Sequence, residues 1–185
     1  METSEAINTR ASLKTRLSSK EVESDKIIKM IEAARVAPSA RNNQPWRFII
    51  IKDKETIKSL AANAFYDVNN MVGEAPVIIA VCANPDDDMK TSGKDYYLFD
   101  AGLAVENMLL AATDLGLATH PMSGLDEPAM KKILGIPDNI RVIVAMPVSY
   151  PAGNSYREAA SERLGQRTRK DIKEIAFWDK WPNTN

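Results

Sequence analysis

A single cysteine, Cys82, and a single histidine, His120, stand among the 185 residues. One cysteine can form no intrachain disulfide and no cysteine zinc cluster. Its place in the apolar run VIIAVCA, with no flanking cation to lower its pKa, reads as a buried core thiol. One histidine leaves a Ser-His-Asp triad or a His-rich metal site resting on His120 alone, and in GLATHPMSG that residue reads as part of a turn or core edge. A surplus of one charge is also lacking: 24 Lys and Arg oppose 25 Asp and Glu, for a formal net charge of -1. Such a balance gives no electrostatic footprint for nucleic acid or an anionic membrane surface, so any anion site must be local. The apolar runs are too short to span a bilayer, and METSEAINTR carries no apolar h-region, so the expectation is a cytoplasmic protein. Also missing are a GxGxxG after a strand, a GxxxxGK[ST] and a G-x-S-x-G, which removes support for a Rossmann site, a P-loop and a nucleophile elbow.

What is present is an ordinary globular composition, 44% hydrophobic and 26% charged, at a length suited to one substantial core. The expectation is a single domain over residues 1–185, with 170–185 as a C-terminal arm. SDKIIKMIEAARVA places Ile27, Ile28, Ile31 and Ala34 on one helical face, with Ser24 as N-cap and Pro38 ending the helix. RFIII, VIIAVCA and IRVIVAM read as strands covered on both faces, since none alternates with polar residues. Helical stretches separate them: KETIKSLAANAF, a long one from Tyr96 to Leu115 with an apolar band of Leu98, Ala101, Val105, Met108, Leu109 and Ala112, and a short one from Asp126 to Leu134 closed by Gly135. Alternating helices and buried strands imply an α/β or α+β layered fold. From Pro147 to Arg169 the chain is polar and mixed. Asp171 and Glu174 then stand at capping-box spacing before Phe177, Trp178 and Trp181, aromatics that must pack on their own core or on a second subunit.

Three stretches could carry chemistry. In RASLKTR, an extended backbone would point Arg10, Ser12 and Lys14 the same way, a suitable phosphate cradle. QRTRK repeats the device with Arg167 and Arg169, and the two segments meeting would build a positive pocket on a neutral protein. Alternating cations can equally be a solvated edge. APSARNNQPW supplies close backbone approach together with hydroxyl and amide donors, which suits a flat heterocycle, while a capped helix-to-strand loop with a core tryptophan would look the same.

Taken in order, RASLK, APSARNNQPWRFIII, EAPVIIAV, DAGLAVENMLLAATDLGLATHPMSG and RTRKDIKEI resemble the nitroreductase family of FMN-dependent oxidoreductases, from about Arg10 to Trp181. The resemblance implies an α+β nitroreductase-like fold: a central mixed β-sheet flanked by helices, in a homodimer whose C-terminal arms are exchanged and whose two FMN sites lie at the subunit interface. It implies FMN as cofactor and NADH or NADPH as transient hydride donor. Carried over by position, Arg10, Ala11, Ser12 and Lys14 would hold the FMN phosphate, the ribityl chain and the N1/O2 side of the ring. Pro38, Ser39 and Ala40 would lie against the isoalloxazine with Asn42 close by, and Ser123 and Gly124 would offer backbone contact near N5. Arg167 and Arg169 would complete the phosphate site, one built mainly by the other chain. A cation at N1/O2 and a donor at N5 tune the cofactor, so no catalytic side chain is expected.

The sequence departs from the family pattern in three places. Arg16 and Leu17 stand where an aromatic often follows the first basic element. The asparagine before EAP is Asn69 or Asn70, with Asn69 preferred. The chain is also short for a long insertion over the pocket, and a small lid admits varied acceptors. Arg41 reads as a solvent-facing loop arginine or as a contact for an anionic substrate. The implied activity is two-electron, ping-pong reduction of nitroaromatics, quinones or similar electron-poor acceptors. The alternatives are a reductive dehalogenase or flavin-consuming synthase, a flavin-binding redox module without turnover, and a structural domain without cofactor.

Overall fold

The computed structural model describes residues 1–13, 17–66, 70–153 and 155–182. Helices α1 (Thr3–Thr9) and α2 (Ser24–Arg35) precede strand β1 (Trp46–Ile51), and α3 (Lys54–Asn63) leads to β2 (Val77–Ala83). A two-residue hairpin, β3 (Lys90–Thr91) and β4 (Lys94–Asp95), runs into the long α4 (Tyr96–Asp114). There follow β5 (Ala118–Thr119), α5 (Glu127–Leu134), β6 (Arg141–Ser149), α6 (Tyr156–Gly165) and α7 (Ile172–Ile175).

The period of two in β2 builds two cores from one strand. Val77, Ile79 and Val81 point to one face, where α2 and α4 bring Met30, Ala34, Ala104, Met108 and Ala112. Ile78, Ala80 and Cys82 point to the other, against Ile57 and Leu60 of α3 and Met130 of α5. Every β2 residue is buried. The covering on both faces read from its sequence is correct for β2, but β1 lies at the sheet edge and leaves Ile50 40% exposed.

The sheet order is β1-β2-β6-β5, with every neighbouring pair antiparallel. The parallel contact among the described residues is the Ser12–Thr119 bridge at the β5 edge, and the sheet is mixed through that bridge alone. Between Val81/Val144 and Cys82/Val142 the register slips, so Ile143 is the extra residue of a β-bulge. Together the helices and this sheet make the α+β fold expected.

Several local readings change. The N-cap of α2 is Glu23, not Ser24, and its covered face is Ile27, Met30 and Ala34, leaving Ile28 exposed. In α4, Ala101, Met108, Leu109 and Ala112 are buried as expected, whereas Leu98 and Phe99 are exposed, so its apolar band is wider than the face this chain covers. The stretch read as polar and irregular contains α6, opened by a capping box between Ser155 and Glu158. α5 is capped by Asp126, which accepts from Ala129 N–H at 2.9 Å, and is ended by Gly135 in the left-handed region at φ 67°. The Asp171–Glu174 capping box forms and opens α7; beyond it Trp178 is 94% exposed. No helix among the described residues is long and apolar enough to cross a membrane.

Candidate functional site

Two segments far apart in sequence close one basic cleft. The chain leaving α1 passes as an extended strand beside β5: Ser12 bridges Thr119, and Leu13 N–H donates to the Thr119 carbonyl at 3.1 Å. The chain leaving α6 returns against it. Arg167 donates from Nη1 to the Asn8 carbonyl at 3.1 Å and from Nη2 to the Arg10 carbonyl. Behind both segments, the buried Tyr156 of α6 accepts the Ala11 N–H at 2.9 Å and lies 3.3 Å from the Thr113 hydroxyl of α4. The resulting cleft, about 320 Å³, is lined by Arg10, Ala11, Ser12, Arg163, Gln166, Arg167, Thr168 and Arg169.

Among the described residues, no carboxylate lines this cleft. Arg10 reaches Glu106 of α4 at 3.7 Å, and Arg169 uses Nη1 on the neighbouring Thr168 carbonyl at 2.7 Å. Burial first, and then the positive charges of Arg169 and Arg10, hold the Arg167 pKa below the usual guanidinium value. Cations gathered at such a cost favour an anion, and guanidinium forks with a serine hydroxyl match the oxygens of a phosphate.

The sequence reading placed Arg10, Ala11, Ser12, Arg167 and Arg169 here, and the structure brings these five together within one chain. Arg163 and Gln166 were missed. The signal was available, because Arg163 stands four residues before Arg167 at the end of a helix that its own capping box announces. Lys14 and Asn69 lie outside the described residues.

The APSARNNQPW loop forms a separate group and does not line the cleft. After α2 the chain makes a 3₁₀ turn over Ala40–Asn42 and enters β1 through the buried Pro45 and Trp46. Arg41, Asn42 and Gln44 all have positive φ, at 53°, 59° and 50°. Non-glycine residues avoid this region unless their surroundings hold them there, and they gather at functional loops. Here Ser39 Oγ accepts the Gln44 N–H at 3.0 Å, Gln44 Nε2 donates to the Asn42 carbonyl at 3.2 Å, and Ala40 N–H donates to Asp100 Oδ2 at 2.6 Å. Pro38, Arg41 and Asn42 are exposed on the outer side, with Ser39 and Ala40 half-buried. Ser123 and Gly124 form a third, exposed group, tied back by Tyr66 N–H on the Gly124 carbonyl at 3.3 Å.

Comparison with known proteins identifies the family. The model of the Nitroreductase family matches residues 7–70 and 67–150, which takes in Arg10–Ser12, the strained loop and Ser123–Gly124. The chain belongs to the nitroreductase family. An Archaeoglobus fulgidus relative named for NADH dehydrogenase and NAD(P)H nitroreductase activity is 34% identical over 163 residues, 85% of this chain and 90% of its own. A solved nitroreductase family protein from Clostridium novyi NT superposes with a TM-score of 0.78 at 34% identity, covering 83% of this chain and 87% of that one. A Desulfovibrio desulfuricans protein solved in complex with FMN has a TM-score of 0.78 at 26% identity, with 98% and 99% covered. The match ends before Arg163, Arg167 and Arg169, and neither the loop nor Ser123–Gly124 lines the cleft.

Proposed function

We propose that this protein binds FMN and uses NADH or NADPH to reduce nitroaromatics, quinones or similar electron-poor acceptors. The observation that carries the proposal is the convergence of Arg10, Arg167 and Arg169 on a cleft that no described carboxylate lines, in a chain whose net charge is -1. That donor set fits the FMN phosphate. Arg10, Ser12, Arg167 and Arg169 would hold it there, with Lys14 toward the N1/O2 side of the ring. Pro38, Ser39, Ala40 and Asn42 would support one face of the isoalloxazine, Asn69 would reach its edge, and the Ser123–Gly124 backbone would stand near N5. Bound there, FMN supplies two-electron hydride chemistry, so the protein's task is to orient the ring, stabilise negative charge at N1/O2 and admit two substrates in turn.

The separation of the three groups favours a site completed by a second copy of the chain. So do the apolar surfaces left uncovered at Ile28, Leu98, Phe99, Trp178 and Trp181. In this reading the homodimer places the loop of one protomer over the phosphate cleft of the other. The test is the visible spectrum of the purified protein, with heat release and identification of the chromophore. About one FMN per chain is expected, followed by NAD(P)H oxidation when a nitroaromatic or quinone is supplied. A folded, colourless protein that takes up no added FMN would overturn the proposal.

A further inference from the structure

The strained loop is held from behind by two carboxyl groups. Asp100, in the first turns of α4, is 2% exposed and accepts the Ala40 N–H through Oδ2 at 2.6 Å. Asp88 is buried beside it. Through Oδ1 it accepts from the Asn43 side-chain amide at 3.1 Å and from Met89 N–H at 2.7 Å. Its other oxygen, Oδ2, is buried and accepts from no donor among the described residues when both carboxyls are taken as ionised. Asp88 stands near enough to Asp100 for its charge and its carboxyl to raise the Asp100 pKa. The pair therefore grips the loop at residues 40 and 43, on either side of the left-handed Arg41 and Asn42.

Two buried carboxylates in contact cannot both be ionised cheaply, and a proton on Asp100 supplies the donor that Asp88 Oδ2 otherwise lacks. We propose that Asp100, carrying a proton toward Asp88 Oδ2, acts with Asp88 as a clamp that sets the conformation of the 38–44 loop, making Asp100 a positioning residue for whatever lies on that loop. That the object positioned is the flavin ring rests on the function proposed above; the clamp itself does not.

The surroundings leave the pair to govern itself. Burial raises the Asp100 pKa most, and the negative charge and hydrogen bond of Asp88 raise it further, against the opposing Ala40 N–H. Other charges on the elements packed here have partners of their own: Arg47 of β1 with Asp87 at 3.4 Å, Lys90 of the hairpin with Asp86 at 2.6 Å, Arg35 of α2 with Glu32 at 2.7 Å, and Arg10 with Glu106. Lys94, Asp95 and Arg41 are exposed. Because the folded pKa of Asp100 is raised, its contribution to stability is fully present below the unfolded value and is lost as pH rises through the folded one. The loop should thus loosen as pH rises through the Asp100 titration.

The test is hydrogen exchange of the peptide containing Ala40–Gln44 in flavin-free protein, over a pH series that rises from the ordinary carboxylate value of about 4, after correction for intrinsic rates. Wild type should lose protection by about tenfold as Asp100 ionises. Asp100→Asn keeps an acceptor for Ala40 and offers Asp88 a permanent N–H, so protection should persist and become independent of pH. Asp88→Asn supplies the donor from the other side and should also abolish the step. Asp100→Ala should be unprotected throughout. FMN dissociation constants across the same range should follow the same pattern. A flat wild-type profile, or Asp100→Asn retaining the step, overturns the clamp. Exchange behaving as stated without FMN binding would leave the clamp standing and remove the flavin from it.

Discussion

Replacing Arg169 by alanine should weaken FMN binding while leaving the flavin-free fold unharmed, and the two effects have opposite electrostatic causes. In the absence of ligand, the Arg169 charge is one of the reasons that the Arg167 cation is disfavoured. The Arg169 side chain is exposed and, among the described residues, donates only to its neighbour's carbonyl, at 2.7 Å. Removing it costs no buried packing and relieves a repulsion, so the change in flavin-free stability should lie within about 0.5 kcal/mol of zero. With a phosphate in the cleft the sign reverses. A charge-assisted hydrogen bond contributes about 1.5–3 kcal/mol. At about 1.4 kcal/mol per factor of ten, that corresponds to a Kd weakened by roughly 10- to 100-fold. Arg167→Ala should cost at least as much in affinity and should also lower stability, since that side chain ties the α6 exit to the Asn8 and Arg10 carbonyls.

The assay is quenching of flavin fluorescence on titration of flavin-free protein, run with FMN and with riboflavin, which lacks the phosphate. For wild type, FMN should bind far more tightly than riboflavin, and the difference should shrink as salt rises. Arg169→Ala should lose affinity for FMN and keep its affinity for riboflavin. Equal losses for both ligands, or an FMN Kd unchanged by the substitution, would refute the assignment of this cleft to a phosphate.

Two further predictions concern what lies behind the cleft and inside the sheet. Tyr156→Phe leaves the buried Ala11 N–H without its acceptor. That should lower stability by about 1–3 kcal/mol, a fall in Tm of roughly 2–9 °C for a chain this long, and weaken FMN binding because Ala11 lies in the cradle; calorimetry and the same titration measure both. Cys82, whose pKa burial pushes up to about 11, should resist a thiol-specific disulfide reagent at neutral pH in the native protein and react at once in denaturant; rapid native labelling would show that this strand opens.

How much of this was legible in the sequence depended on how local each feature is. VIIAVCA announces a doubly covered strand because burial on both faces removes polar residues from every position. Gly135 and the Asp171–Glu174 pair mark helix ends through chemistry that acts within a few residues. The α6 helix escaped because its polar composition gives no apolar stripe, although Ser155 and Glu158 carried its start. The two basic segments were each readable as half of a cradle, but their meeting depends on a β-bridge at Thr119 and on Tyr156, partners 107 and 145 residues distant in the chain. Asp100 carries no such local signal. Its role exists only because the fold sets it under Ala40 and against Asp88, 60 and 12 residues away.

The same distinction bears on why the site is divided. In the proposed reading, a phosphate cradle needs only charge and donors, which one chain collects by bringing two distant segments onto one sheet edge. A support for a flat ring would need a fixed, solvent-facing surface, for which the strained backbone at Arg41, Asn42 and Gln44, tied to the buried Asp100, is the candidate. Leu98 and Phe99 lie on the same first turns of α4 as Asp100, exposed in the single chain. Covering them with a second protomer would remove water from the neighbourhood of the clamp at the same moment that it brings a phosphate cleft to the loop. Assembly, protonation of Asp100 and the shape of the 38–44 loop would in that arrangement form one linked equilibrium, so that each should be stabilised by the others.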